Sequence, residues 1–230
     1  MATLGEYLGA GSGTTKLLLR LNGNSTDTSG NSNSGTDTAI TYSQANGKFG
    51  QGAGFNGTTS KIAINSTIVL GTGDFTTSLW VNINNYPGVG TLGHLFVKRD
   101  DSGPLPLFDI HIDSSGILSF EGRITSTVYS IIAPSALSKN VYHNIQIIRS
   151  GSNGYMYLNG TLFASNTTTF SNLDFNTTVR TLSLGCKDSG FGNEGFLDGK
   201  VDEVIYETTA WTAQKVQKYY TTSRGRFGIT

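Results

Sequence analysis

The densest group of reactive side chains lies in FLDGKVDEVIYE, residues 196 to 207, where Asp198, Asp202, Glu203 and Glu207 crowd into a chain that is only 14% charged. Carboxylates this close could act as acid, base or nucleophile, or ligate a cation. Strand alternation sorts them: Asp202, Val204 and Tyr206 share one side, Val201, Glu203, Ile205 and Glu207 the other, and Asp198 belongs to the Asp-Gly turn before the strand. Asp202 is therefore expected to face inward. A carboxylate on a buried face costs several kcal/mol unless paired or ligated, so donors or a cation should meet it. His94, His111 and His143 lie in separate segments without H-x-x-x-H or H-E-x-x-H spacing, which speaks against a zinc site. Cys186 has no base singled out beside it and reads as a buried structural thiol.

The elements that must position these groups are strands. Short apolar runs recur between turn signals at 16–21, 60–64, 74–81, 93–98, 107–112, 116–121, 128–132, 141–149, 155–158, 161–164 and 181–185. Asn159-Gly160 between two such runs predicts a type I′ hairpin, because both central residues need positive φ. Asp113 to Gly116 fits a type I turn. The segment 22–37, NGNSTDTSGNSNSGTD, is polar throughout and is expected to be an exposed loop. One segment, TAQKVQKYY at 212–220, predicts a helix, with Thr212 as N-cap and Val216, Tyr219 and Tyr220 on one stripe. Many short strands, one late helix and no βαβ alternation predict an all-β, two-sheet antiparallel jelly-roll sandwich.

Composition narrows the function. Zero formal net charge removes the electrostatic case for nucleic acid or an anionic membrane surface. No apolar run approaches the roughly 18 residues of a spanning helix, and MATLGEYLGAGSGTTK does not read as a secretory signal. A single cysteine leaves the redox compartment open. The six Asn-x-Ser/Thr sequons, at Asn24, Asn56, Asn65, Asn159, Asn166 and Asn176, follow from an Asn/Ser/Thr-rich composition and read as unglycosylated.

Alternation also suggests a binding face. If Phe75, Thr77, Leu79 and Val81 fill the core, Trp80 stands outside beside Ser78. Tyr142, Asn144, Gln146 and Ile148 face the same way from their strand, and Asp109 and His111 form the outer set of 107–112. A ring among amides, a carboxylate and an imidazole suits a sugar, which offers a C–H face to stack and hydroxyls to bind. The competing arrangement has loops such as 83–92 fold over the face and cover Trp80.

Four blocks together resemble a known family. GDFTTSLWVN, YHNIQIIRSGSNGYMYLNGTLFAS, GKVDEVIYETTAWTAQKVQKYY, and the pair SGNSNSGTDT with FGQGAGFNGTTSKIAI are similar to laminin-G-like jelly rolls of the concanavalin A-like lectin and glucanase superfamily. The resemblance implies two packed antiparallel sheets, one concave and often glycan-binding, and frequently a structural calcium. It places that ion at Asp202 with the Asp27 and Asn31 loop, although Asn56 stands where the family usually has Asp. The family's glucanases carry their acids on an E-x-D strand, and no Glu-x-Asp occurs in this chain, so an enzyme is not expected.

The domain is expected over 16–222, with a flexible arm at 1–15 carrying Leu4, Tyr7 and Leu8, and a tail at 223–230 carrying Arg224 and Arg226. These features lead to a non-enzymatic virion-associated module of a bacteriophage, a head decoration or tail protein. It would be present in many copies, joined to other virion proteins through the arm, with a cell-surface glycan as ligand. The alternative is a secreted or cell-surface bacterial carbohydrate-binding module.

Overall fold

Alternating apolar and polar residues punctuated by Gly, Asn and Asp turns fold here as β-structure almost throughout. A computed structural model describes residues 13–64, 68, 70–99, 107–124, 127–167, 170, 175, 181–188 and 193–224. The arm residues Leu4, Tyr7 and Leu8 and the tail residue Arg226 lie outside the described residues. In chain order the strands are β1 Thr15–Leu19, β2 Gly35–Thr38, β3 Thr41–Ser43, β4 Gly52–Asn56, β5 Lys61–Ile64, β6 Phe75–Asn85, β7 Leu92–Arg99, β8 Leu107–Asp113 and β9 Ile117–Ile124. They continue as β10 Thr127–Ala136, β11 Tyr142–Ser150, β12 Asn153–Leu158, β13 Thr161–Asn166, β14 Leu182–Leu184, β15 Lys187–Asp188, β16 Asn193–Glu194 and β17 Asp198–Glu207, and helix α1 covers Ala213–Arg224.

Two antiparallel sheets form the sandwich. The first runs β13-β12-β11-β6-β17-β4-β3 with β1 on the second half of β17, and the other runs β10-β9-β8-β7-β14-β5-β2. Between them lies an aromatic core in which the Phe75 ring sits 5.6 Å from Phe108 and 6.0 Å from Tyr206. Asn159 and Gly160 have φ of 52° and 80°, as the hairpin requires. The predicted helix forms with its cap, since Thr212 Oγ1 accepts from the Lys215 amide at 3.2 Å, and it runs on to Arg224.

The helix adds a third layer. Leu18, Ile148 and Ile205 on the outer face of the first sheet pack against Trp211, Val216 and Tyr219 as a second apolar cluster. That face is consequently interior.

Two sequence expectations are corrected. The 22–37 segment is largely exposed, as expected, but is not a plain loop: Ser25, Asp27, Ser29 and Asn33 are buried, and Gly35–Thr38 pairs as β2. Its side chains replace a ladder, with the Asp27 carboxylate accepting from the amides of Leu18, Ser29 and Asn33 at 2.9 to 3.0 Å. Asp202 does not share a face with Val204 and Tyr206. A bulge between Asp202 and Ile205, with Glu203 at φ +48°, inserts one residue, so Asp202 stands opposite Trp80 on the outer face while Val204 and Tyr206 join the core.

Candidate functional site

Each acid of the 196–207 segment has a structural partner. Asp202 accepts from the amides of Lys48 and Phe49 at 2.8 and 2.6 Å and from its own neighbour Glu203 at 2.9 Å. Glu203 meets Arg20 at 3.3 Å. Glu207, buried to 1% exposure, accepts from the Trp211 indole at 2.5 Å and Lys215 Nζ at 2.9 Å and so fastens the approach to α1. No two of them are arranged as an acid and nucleophile facing a common cleft; Asp202, Glu203 and Glu207 hold backbone, arginine and helix in place.

Burial pushes the Asp202 carboxyl up to about 8, Glu203's charge adds to this, and the three backbone N–H groups oppose it. Between the unfolded value near 3.8 and that folded value, the native chain keeps a proton that the unfolded chain has lost. Stability should therefore fall as pH rises through about 4 to 8, by up to about 1.4 kcal/mol per pH unit from this group. Denaturant titrations from pH 4 to 9 check this by comparison with Asp202→Asn, in which the slope should flatten; parallel curves would show that Asp202 ionises normally.

The residues predicted for calcium are not assembled around one point. Asp27 takes its donors from β1 and its own loop, Asp202 from the 48–49 segment, and Asn31 donates its amide to the Thr15 carbonyl at 2.8 Å. Both carboxylates face N–H groups, whereas a calcium site turns oxygens inward.

The predicted sugar face is also redistributed. Ser78, Trp80, Asn144 and Gln146 do share one face of β6 and β11, but each is at most 1% exposed. Trp80 stacks on Tyr220 of α1 at 5.8 Å and meets the edge of Phe49 at 5.7 Å, with Lys48 Nζ 5.0 Å above its ring. Gln146 donates its amide to Asn144, which in turn donates to the Leu79 carbonyl at 3.3 Å. The cover is α1 and the 48–49 segment, not the 83–92 loop, and beneath it Gln146, Asn144 and Ser78 bond to one another. Asp109 and His111 belong to the other sheet, in β8, where they meet His94 of β7.

An open site instead lies at one end of the sandwich. Register places Asp198 of β17 opposite both Asn56 of β4 and Asn85 of β6, so three strand ends converge there. The Asp198 carboxylate accepts from the Asn84 and Asn85 side-chain amides at 3.1 and 2.7 Å. Around them a cleft of about 240 Å³ is walled by the half-buried rings of Tyr86 and Phe196 together with Asn56, Thr58, Asn85 and Asp198. The Tyr86 hydroxyl donates to the Leu137 carbonyl, which fixes the ring. A second cleft, of about 310 Å³, adjoins it through the shared Asn56 and Asp198 and adds Thr41, Asn46, Asn84 and Lys200. The sequence signal for this site was three turn motifs, Asn56-Gly57, Tyr86-Pro87-Gly88 and Asp198-Gly199, which nothing local brings together.

Two antiparallel sheets, a capping helix and a polar-aromatic cleft at the loop end define a lectin-type β-sandwich. A family model described as the concanavalin A-like lectin/glucanases superfamily matches residues 56–217, and the chain belongs to that family. Among solved structures, the binding domain of Paraclostridial Mosquitocidal Protein 1 superposes with a TM-score of 0.74 at 18% identity, over 91% of this chain and 52% of that one. Domain 4 of AbnA, an extracellular GH43 arabinanase from Geobacillus stearothermophilus, determined in complex with arabinotriose, gives 0.70 at 18% identity, over 90% of this chain and 98% of that one. The botulinum neurotoxin serotype C1 binding domain gives 0.69 at 14% identity, over 91% and 52%. The chain spans about half the length of the toxin binding domains it matches. Comparison with curated proteins by sequence gives no match.

Proposed function

We propose that this chain is a non-catalytic carbohydrate-binding domain whose ligand lies in the end cleft at Asn56, Asn85, Tyr86, Phe196 and Asp198. The observation that carries the reading is the pairing, in an accessible cleft, of two partly exposed rings with amides and a carboxylate, while the Trp80 face is sealed. Rings stack on the C–H face of a pyranose or furanose, and the amide and carboxylate groups bind its hydroxyls. The adjoining second cleft gives room for an oligosaccharide rather than a single ring. The arabinotriose held by the arabinanase domain supports the ligand class.

For the setting we infer a multicopy assembly outside cells, a bacteriophage virion first, because weak sugar sites gain avidity when repeated. A neutral surface rich in hydroxyls and amides suits that setting. Antibody labelling of intact purified particles tests it; a chain found only in the soluble fraction of the lysate overturns it.

Phe196→Ala should weaken retention on a glycan array about tenfold, the loss expected for one stacking ring. It should leave the melting temperature nearly unchanged, since the ring is only half-buried. Equal retention by the variant would remove Phe196 from the site.

A further inference from the structure

The structure assigns a divalent transition-metal site, with zinc as the best-suited ion, to His94, Asp109 and His111 on the sheet opposite α1. None of the three residues lines the end cleft, although their chain neighbours Gly93 and Ile112 do. It arises from cross-strand pairing that sequence spacing hides. His94 of β7 stands directly opposite His111 of β8, and Asp109 lies two residues along β8 on the same face. A register shift between His94 and Phe96 brings the first pair into line.

The donor atoms converge. His94 Nδ1 is 2.8 Å from Asp109 Oδ1, His111 Nδ1 is 3.4 Å from Asp109 Oδ2, and one donor atom from each residue lies within 4.8 Å of the others. Among the described residues this is the group of His, Cys, Asp and Glu that meets that limit. All three are buried, with Asp109 at 0% exposure, and the two rings lie 6.0 Å apart at 70°.

Two of the three donor separations lie near those that zinc requires. Tetrahedral zinc with N and O ligands near 2.0–2.2 Å needs neighbouring donors roughly 3.3 Å apart. The His111 to Asp109 separation of 3.4 Å already fits, and the His94 contact at 2.8 Å must open by about half an ångström. That contact is the one sharing a proton. Entry of the metal displaces this proton to solvent, and the metal takes its place between imidazole and carboxylate. The His94 ring is braced for this. Gly195 lies so close that a Cβ there would come within 2.3 Å of His94 Cδ2 and 2.7 Å of Nε2, leaving Nδ1 turned toward Asp109. The Gly195 carbonyl also accepts from the His94 amide at 2.9 Å, so the turn after β16 fixes the strand and the ring together.

The donor set narrows the choice of ion. Two imidazoles and one carboxylate suit zinc among the commoner ions, because magnesium and calcium prefer oxygen ligands alone.

The full-length chain, stripped with chelator and dialysed, tests this by zinc titration calorimetry with metal analysis of the product. One zinc per chain, release of about one proton and a raised melting temperature are expected. His111→Asn and Asp109→Asn should each weaken binding by more than the roughly 10–100-fold that losing an outer-shell partner costs. His143→Asn, at a histidine in another sheet, should change nothing. Cobalt substitution gives a readout of the site itself, since tetrahedral coordination produces visible absorption that both ligand variants should abolish even where they fold less stably. Absence of stoichiometric zinc binding by the wild-type chain, or binding unchanged in His111→Asn, would overturn the assignment.

Discussion

Replacing Trp80 by Ala is expected to destabilise the domain by about 3–5 kcal/mol, the range for truncating a large buried aromatic. The ring is 1% exposed and packed on both sides, by Tyr220 of the helix and Phe49 of the 48–49 segment, so its removal opens a void that neither can fill without moving. Lys48 would also lose the ring that its ammonium covers at 5.0 Å. Urea unfolding of the two proteins measures the difference. A change below about 1 kcal/mol would mean that the helix does not seal this face. Any loss of sugar retention in Trp80→Ala should follow the unfolded fraction and disappear where the variant is folded.

Glu207→Ala should cost a similar amount, toward the lower end of the 3–5 kcal/mol typical of breaking a buried charged pair, because Lys215 is 34% exposed and can turn to water. The Trp211 indole and the Thr15 hydroxyl, which donates to the same carboxylate at 3.3 Å, cannot. The indole would be a buried donor that has lost its acceptor. Trp211 fluorescence should shift to the red as α1 loosens, while Glu207→Gln, which keeps an acceptor, should retain part of the stability. An unshifted spectrum in Glu207→Ala would show that the helix is held by its apolar stripe alone.

The parts of the fold written in local pattern were legible: the strands, the Asn159-Gly160 hairpin, the Thr212 cap and the Val216 and Tyr219 stripe all depend on residues within a few positions of one another. Trp80 and Ser78 were correctly placed together on the outer side of β6, as were Asn144 and Gln146 on β11. What alternation could not supply was the layer above them, because the position of α1 is fixed by long-range contacts such as Trp80 to Tyr220 and the packing of Leu18 and Ile148 with Val216 and Tyr219. Asp202 was misplaced because a period of two assumes no inserted residue, and the bulge at Glu203 is one. The four buried side chains around Asp27 were missed for a different reason: Asp, Ser and Asn can be interior when they bond backbone groups, a property that composition does not register. His94 and His111 show the same limit from the opposite direction, since residues 17 apart in sequence become direct neighbours only through β7 to β8 pairing. The end cleft combines three turns from distant parts of the chain, and its residues were individually ordinary.

The central claim is that sugar binds at the end cleft and not at the Trp80 face. Its most direct test is to titrate the isotope-labelled chain with an oligosaccharide retained on a glycan array and follow amide shifts by NMR. Shifts concentrated at Asn56 to Thr58, Asn84 to Gly88 and Phe196 to Lys200, including the Asn84 and Asn85 side-chain amides, are the predicted result. Shifts centred on Ser78, Trp80, Asn144 and Gln146, or an array on which no glycan is retained, would contradict it.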